Sequence, residues 1–284
     1  MKKTLKIIQT LAMLIITVMA YSCSNTFSTQ NQEDWSFVTF GDLRQGYGVY
    51  EKLAVNMGSI RPSPEIAVCL GDIIVDPANE AEWSMFRRLS KPITDKMPML
   101  IVRGNHEMNY KAAELSFRKA AGISEPKPLY FSRLVKNKQF IVLDTDVPGE
   151  ENSIVNEQLR WLKSELDSAS NALDISGIFL FMHRPLFRQG RNLGHNQKNA
   201  EQLHALFQNY KKIQAVFAGH DHIFHHHIKD GVRYITSGGA GSPLRHGWGG
   251  DYHHFVKISF FEETNTINLK TIGVFNEVIE DWNF

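Results

Sequence analysis

Asp42, Asp72, Asn105, His183, His220 and His222 each follow a short apolar run. Carboxylate and amide oxygens mixed with neutral imidazoles are the donors of a hydrolytic metal centre that keeps positions open for water and substrate. Two metals roughly 3.5–4 Å apart can share one bridging carboxylate and clamp phosphoryl oxygens during an in-line displacement. Singly these residues say little, since a Gly-Asp after a strand is most often a turn and a lone His most often structural. Their order along one chain is what carries information. In His220-Asp221-His222 the alternation of side chains at a strand end puts the two imidazoles on one face.

Placing six such residues together requires several strands. Residues 36–40 stop at Gly41-Asp42, and 66–70 stop at Gly71-Asp72. Residues 99–102 lead through Arg103 to Gly104-Asn105-His106-Glu107, 178–182 stop at His183, and 215–218 stop at Gly219-His220. Runs this short and apolar fit strands buried on both faces. Helical spacing appears between them at 80–89 (Trp83, Phe86, Leu89), 155–166 (Val155, Leu159, Leu162, Leu166) and 199–210 (Leu203, Leu206, Phe207, Tyr210). Strands alternating with helices predict an α/β architecture, whose ligands bind outside the carboxyl ends of the strands. Beyond His220, the runs 224–228, 233–236, 255–260 and 267–272 predict a second, largely antiparallel sheet packed on the first.

These motifs resemble those of the calcineurin-like metallophosphoesterase superfamily: Gly41-Asp42, Gly71-Asp72, Gly104-Asn105-His106-Glu107, Met182-His183-Arg184-Pro185 and Gly219-His220-Asp221-His222. The stretch Tyr234-Ile235-Thr236-Ser237-Gly238-Gly239-Ala240-Gly241 resembles the glycine-rich strand-loop that follows the last ligand in many members, and His-Arg-Pro is similar to the purple acid phosphatase branch. The resemblance covers the chain from Trp35 onward. It implies a four-layer α/β sandwich, two mixed β-sheets flanked by helices, with the metal site at the carboxyl ends of strands. It implies hydrolysis of phosphomonoesters or phosphodiesters by a metal-bound hydroxide at a dinuclear centre of divalent or trivalent ions (manganese, iron or zinc). By resemblance, Asp72 bridges the metals, Asp42 and His222 complete the first site, and Asn105, His183 and His220 complete the second. His106 then stands beside the leaving-group oxygen, a position worth on the order of 10²–10⁴ in rate.

The chain departs from the pattern at three places. The first motif usually reads Asp-x-His, and here Arg44 holds the third position. A guanidinium stays protonated and cannot ligate a metal, but it can bind a substrate phosphate bidentately. The Tyr that purple acid phosphatases place three residues after the bridging Asp is Val75 here. An Asp that orients the catalytic His is often found three residues after the bridging Asp. Here the nearest is Asp76, four residues on, with two roles open: buttressing His106, or a turn before Pro77. The missing first-motif His also sustains an alternative function, a catalytically weakened phosphate- or polyanion-binding lipoprotein.

Other clusters carry less. Strand alternation splits His225-His226-His227 between two faces, so they form no chelating group. Arg184, Arg188, Arg191 and His195 follow the His183 strand end on a stretch that can overhang the site. Residues 243–252 are either a mobile flap or a glycine-rich turn.

The 284 residues are 43% hydrophobic and 21% charged, with a formal net charge of +1. No linker interrupts residues 35–284, which read as one metallophosphoesterase domain. Without a basic stripe, nothing points to a nucleic-acid partner, and the expected partner is a small phosphoester substrate. Lys2, Lys3 and Lys6 precede an apolar stretch too short to span a bilayer comfortably, so residues 1–22 read as a signal peptide. Ala20, Ser22 and Cys23 resemble a bacterial lipobox, in which Cys23 takes the lipid and residues 23–34 form a flexible tether. The expected location is that of an exported lipoprotein on a membrane, in the periplasm or outer membrane. Only Cys69 then remains, and no disulfide framework follows.

Overall fold

The computed structural model describes residues 32–107, 111–188 and 197–284. The expected signal segment, Cys23 and most of the tether lie outside the described residues, as do Arg191 and His195. Among the described residues no helix is long and apolar enough to cross a membrane.

Strands β1 (Trp35–Phe40), β2 (Ile66–Cys69) and β3 (Met99–Ile101) pair in parallel. Residues 35–40 and 66–69 are buried throughout, as runs apolar on both faces require. A second six-stranded sheet begins with β4 (Phe131–Val135), β5 (Lys138–Val142), β6 (Gly177–Met182) and β7 (Ile213–Ala218). It is completed by β8 (Phe224–Lys229) and β9 (Val232–Ser237), in the order β4-β5-β6-β7-β9-β8. Strands β10 (His254–Phe261), β11 (Thr266–Gly273) and β12 (Val278–Asn283) return to the first sheet, in the order β12-β11-β10-β1-β2-β3. Both sheets are mixed, with antiparallel pairing confined in the second to its two edges.

The antiparallel sheet expected beyond His220 is therefore corrected. Its four strands divide between the two sheets, and the early strands divide as well. Hydrophobic period identifies a strand but not its neighbour, and the neighbours here are set by the crossovers. β8 reads Phe-His-His-His-Ile-Lys and is only partly buried, which suits an edge. Asp230 and Gly231, both at positive φ (46° and 83°), turn the chain back so that β9 inserts beside β7. β10 is largely buried on both faces and pairs on both sides, with β1 and β11.

Side-chain alternation builds three apolar layers. Between the sheets, Phe37 meets Phe140 and Phe179 edge-on at ring-centroid distances of 4.9 and 5.4 Å, beside Phe181 and Phe217. This is the arrangement the ring quadrupoles favour. On the outer face of the first sheet lie α1 (Tyr47–Ser59), α2 (Glu80–Leu89), α3 (Lys91–Thr94) and α4 (Lys111–Ala121). They set Tyr50, Leu53, Trp83, Phe86 and Phe117 against Val38, Phe40 and Cys69. On the outer face of the second, α5 (Asn156–Asn171) and α6 (Ala200–Phe207) pack Leu162, Leu166, Leu203 and Phe207 on Ile141, Leu180 and Val216. The result is the four-layer α/β sandwich with two mixed sheets. α2 shows how local chemistry agrees with packing: Asn79 caps its start by accepting from the Ala81 amide, Glu80 and Glu82 occupy the first turn, and Arg87 and Arg88 the last.

Candidate metal centre

Three strands of the first sheet and two of the second end at one edge of the sandwich and deliver the candidate donors there. Asp42 follows β1, Asp72 follows β2, Asn105 follows β3, His183 follows β6, and His220 and His222 follow β7. The backbone bends sharply at three of them. Asp42, Asp72 and His220 have φ of 61°, 53° and 67°, a left-handed conformation costing on the order of 1–3 kcal/mol each. The neighbouring glycines make the room. A Cβ on Gly104 would stand 2.4 Å from Asp72 Oδ1, and one on Gly219 would stand 2.5 Å from Asp42 Oδ2. The glycine-rich loop after β9 closes over the same corner, where the Ser242 amide donates to the Asp42 carbonyl at 2.7 Å.

The donors fall into two groups that share one member: Asp72, His183 and His220; and Asp42, Asp72 and His222. Within each group the candidate ligand atoms lie within 4.8 Å of one another. In the first, His183 Nδ1 is 2.8 Å from the Leu70 carbonyl and so donates its proton there. Its Nε2 then presents a lone pair 3.2 Å from Asp72 Oδ1 and 3.1 Å from Asn105 Oδ1. In the second, His222 Nδ1 donates to the Pro243 carbonyl at 2.8 Å, and Nε2 faces Asp42 Oδ1 at 3.5 Å. Among the described residues the buried Asp42 Oδ1 has no hydrogen-bond partner, while Oδ2 accepts from the His220 amide at 2.8 Å. Lone pairs turned toward one another, with both imidazoles fixed through backbone carbonyls, suit a cation. The residues fit the ions that the resemblance implies.

The electrostatics agree. Burial pushes the Asp42 carboxyl well above the usual carboxylate range, with His183 pulling against it and Asp72 adding to it. Asp72 feels the same burial, yet His183 and His106 hold it down at about 2. Burial lowers the His183 imidazole, but Asp72 and Asp42 outweigh it and raise its proton affinity, the mark of a pocket short of positive charge. Burial drives the His220 imidazole well below its ordinary value and His222 down to about 4, leaving both neutral, as ligands must be.

His220 is held differently. Arg184 Nη1 donates to its Nε2 at 3.2 Å, which leaves Nδ1 to carry the proton, 3.2 Å from His183 Nε2. Using Nδ1 as a metal ligand requires the other tautomer and a shift of Arg184. Arg184 is itself anchored through Nε on Asp146 Oδ1 at 2.9 Å.

His106 lies on a single 3-10 turn with Asn105 and Glu107, its side chain 32% exposed and its Nε2 4.0 Å from Asp72 Oδ2. Its own amide donates to Asp72 Oδ1 at 3.1 Å. Asp76 takes the turn role: it is exposed, and its carboxylate accepts from the Ala78 amide at 3.0 Å. Arg44 stands at the rim, with Nε 3.3 Å from Asp72 Oδ2. Val75, at the position of the branch's Tyr, is 42% exposed. The His225–227 run stays outside the two donor groups, with His226 stacked on Trp282 at 4.2 Å and His225 facing His227.

Two features escaped the sequence reading. Glu107 is fully buried and accepts from the amides of Asp72, Ile73 and Gly104 at 3.0, 2.7 and 2.8 Å. It ties the second and third motifs together, although burial and then the Asp72 charge push its carboxyl up to about 7. Arg103 forms a buried fork on Asp144 and also donates to the Asp146 carbonyl, linking the end of β3 to the end of β5. Asp144 was findable, because Phe140–Leu143 is another apolar run that ends in a carboxylate.

A profile of the Calcineurin-like phosphoesterase family matches residues 36–224. The chain is similar to Purple acid phosphatase 23 of Arabidopsis thaliana, at 25% identity over 182 residues, 57% of this chain and 38% of that protein. It is also similar to the glycerophosphodiester phosphodiesterase GpdQ of Enterobacter lignolyticus (strain SCF1), at 22% identity over 215 residues, 72% of this chain and 70% of that one. The chain spans between 38% and 50% of the length of three Arabidopsis purple acid phosphatases that it matches. Among solved structures, a purple acid phosphatase from yellow lupin (Lupinus luteus) seeds shares the fold with a TM-score of 0.74 at 16% identity. That alignment covers 89% of this chain and 54% of the lupin protein.

Proposed function

The chain belongs to the calcineurin-like phosphoesterase family, and from that premise we propose that it hydrolyses phosphomonoesters or phosphodiesters at a centre of two cations. The observation that carries this reading is the shared carboxylate: Asp72 is a member of both donor groups. Cations held there supply Lewis acidity toward the phosphoryl oxygens and a hydroxide nucleophile near neutral pH. The chain's own residues do the rest. Asp42 and His222 hold one cation; Asn105, His183 and His220 hold the other. His106 gives a proton to the leaving-group oxygen. Arg44, at 15% side-chain exposure, takes a phosphoryl oxygen, for which its planar fork is suited.

The test strips the purified chain with chelator and reloads it separately with manganese, zinc or iron. Hydrolysis of p-nitrophenyl phosphate or bis-p-nitrophenyl phosphate is expected to return with the metal. A folded, cation-loaded chain that turns over neither compound would refute the hydrolase reading. It would favour the second one, a phosphate-binding protein of weakened turnover, for which the Arg44–Asp72 contact is the supporting observation.

Arg44 also bears on the balance between the two sites. A guanidinium beside Asp72 Oδ2 competes for the oxygen and repels a cation at the Asp42–His222 group, which lacks both the family's His and the branch's Tyr. Arg44→His is expected to tighten the weaker cation equivalent by roughly 10–100-fold, the scale of changes in ligand surroundings. Calorimetric titration with manganese reads this directly. Unchanged stoichiometry and affinity would clear Arg44 of limiting that site.

A further inference from the structure

Beside the centre lies a basic cluster that the proposed hydrolysis does not use. Asp221, between the two ligand histidines, is 1% exposed. Its Oδ1 accepts from Arg245 Nη1 at 3.1 Å and lies 3.9 Å from Arg188 Nη2. Both guanidiniums also sit on one indole: Arg188 Cζ is 5.4 Å and Arg245 Cζ 5.2 Å from the Trp248 ring centroid. The Arg245 amide donates to the His222 carbonyl at 3.0 Å, so the cluster is tied to the backbone of a candidate ligand. Among the described residues the buried Arg188 Nε has no hydrogen-bond partner.

Among the described residues two guanidiniums face one carboxylate oxygen, so positive charge exceeds the negative charge of that group, and like charges held this close repel. Both guanidiniums lie within cation–π range of the Trp248 ring, a contact that restrains their side chains and lowers the entropy lost when they close on an anion. Their side chains keep 31% and 29% exposure, so a ligand can reach them. Planar guanidiniums recognise phosphate oxygens in pairs of hydrogen bonds.

We propose that Arg188 and Arg245, held on Trp248 by Asp221, form a second anion subsite that binds a further phosphoryl group of the substrate, beyond the one cleaved. Resting on the hydrolase reading, this assigns the substrate class: organic diphosphates or bisphosphates are preferred over simple phosphate monoesters.

Calorimetry on the full chain loaded with manganese tests this without requiring turnover, with metal content checked before and after. The probes are two pairs that differ by one phosphoryl group: ADP with AMP, and fructose 1,6-bisphosphate with fructose 6-phosphate. At low salt, the compound with two phosphoryl groups is expected to bind roughly tenfold or more tightly in at least one pair, given charge-assisted contacts. In Arg188→Ala that ratio falls to near one, and Arg188→Gln, which keeps the side-chain bulk, gives the same loss. A wild-type ratio near one in both pairs, or a ratio unchanged in both variants, overturns the subsite while leaving the hydrolytic site standing. Absence of binding by all four compounds overturns the phosphoester site itself, and the subsite with it.

Discussion

Asp72→Asn is expected to empty both cation sites at once. The substitution keeps the side-chain volume but removes the charge that both donor groups share. Oδ1 lies 3.2 Å from His183 Nε2 and Oδ2 lies 3.3 Å from Arg44 Nε, so the two oxygens face different neighbours. Changes merely outside the ligand shell cost roughly 10–100-fold in metal affinity, and loss of a shared direct donor exceeds that at each site. Elemental analysis after dialysis should find neither equivalent of manganese retained. Loss of one equivalent with the other intact would contradict the bridging role and leave Asp72 to a single site.

His106→Ala should do the opposite, retaining the metal and losing turnover. The imidazole belongs to neither donor group, yet its Nε2 is 4.0 Å from Asp72 Oδ2 and it is partly exposed to an incoming ester. A positioned acid contributes on the order of 10²–10⁴ in rate, or about 3–5 kcal/mol of barrier. The loss in kcat/KM should deepen from p-nitrophenyl to phenyl phosphate, because the poorer leaving group needs the proton more. Equal losses for both esters would make His106 a positioning residue, and unchanged rates would remove it from the mechanism.

The six candidate positions were legible because apolar strands must stop where the sheet meets water. A run such as 178–182 followed at once by His183 marks that point. The partition of the donors came from family resemblance; the geometry groups Asp72 with His183 and His220, and Asp42 and Asp72 with His222. What stayed hidden depends on contacts far apart in sequence. Nothing within 224–228 or 255–260 tells which sheet takes each run, since a strand's period is the same in either. Asp76 could not be assigned from spacing alone, because an Asx turn and a buttress look alike until the backbone direction is known. Glu107 was visible in its motif, but its grip on three amides exists only once β2 and β3 lie side by side. Helix α1 carries Tyr50, Leu53, Ala54 and Met57 at helical spacing, but has neither a side-chain cap nor an acidic first turn to announce its start.

Each donor group draws on both sheets, Asp42 and Asp72 from one and His183, His220 and His222 from the other, and Asn105 after β3 meets His183 across them. A cation held there is thus a cross-link between segments that the chain joins only at long range: 78 residues separate Asn105 from His183, and 178 separate Asp42 from His220. Closing such loops is an entropic burden on folding, and the ion shares it only in the native state. By mass action, a free ion at a hundred times its Kd adds about 2.7 kcal/mol to stability. If the chain binds its cations as proposed, metal supply is expected to act as a folding factor for it, and a chelator as a mild denaturant.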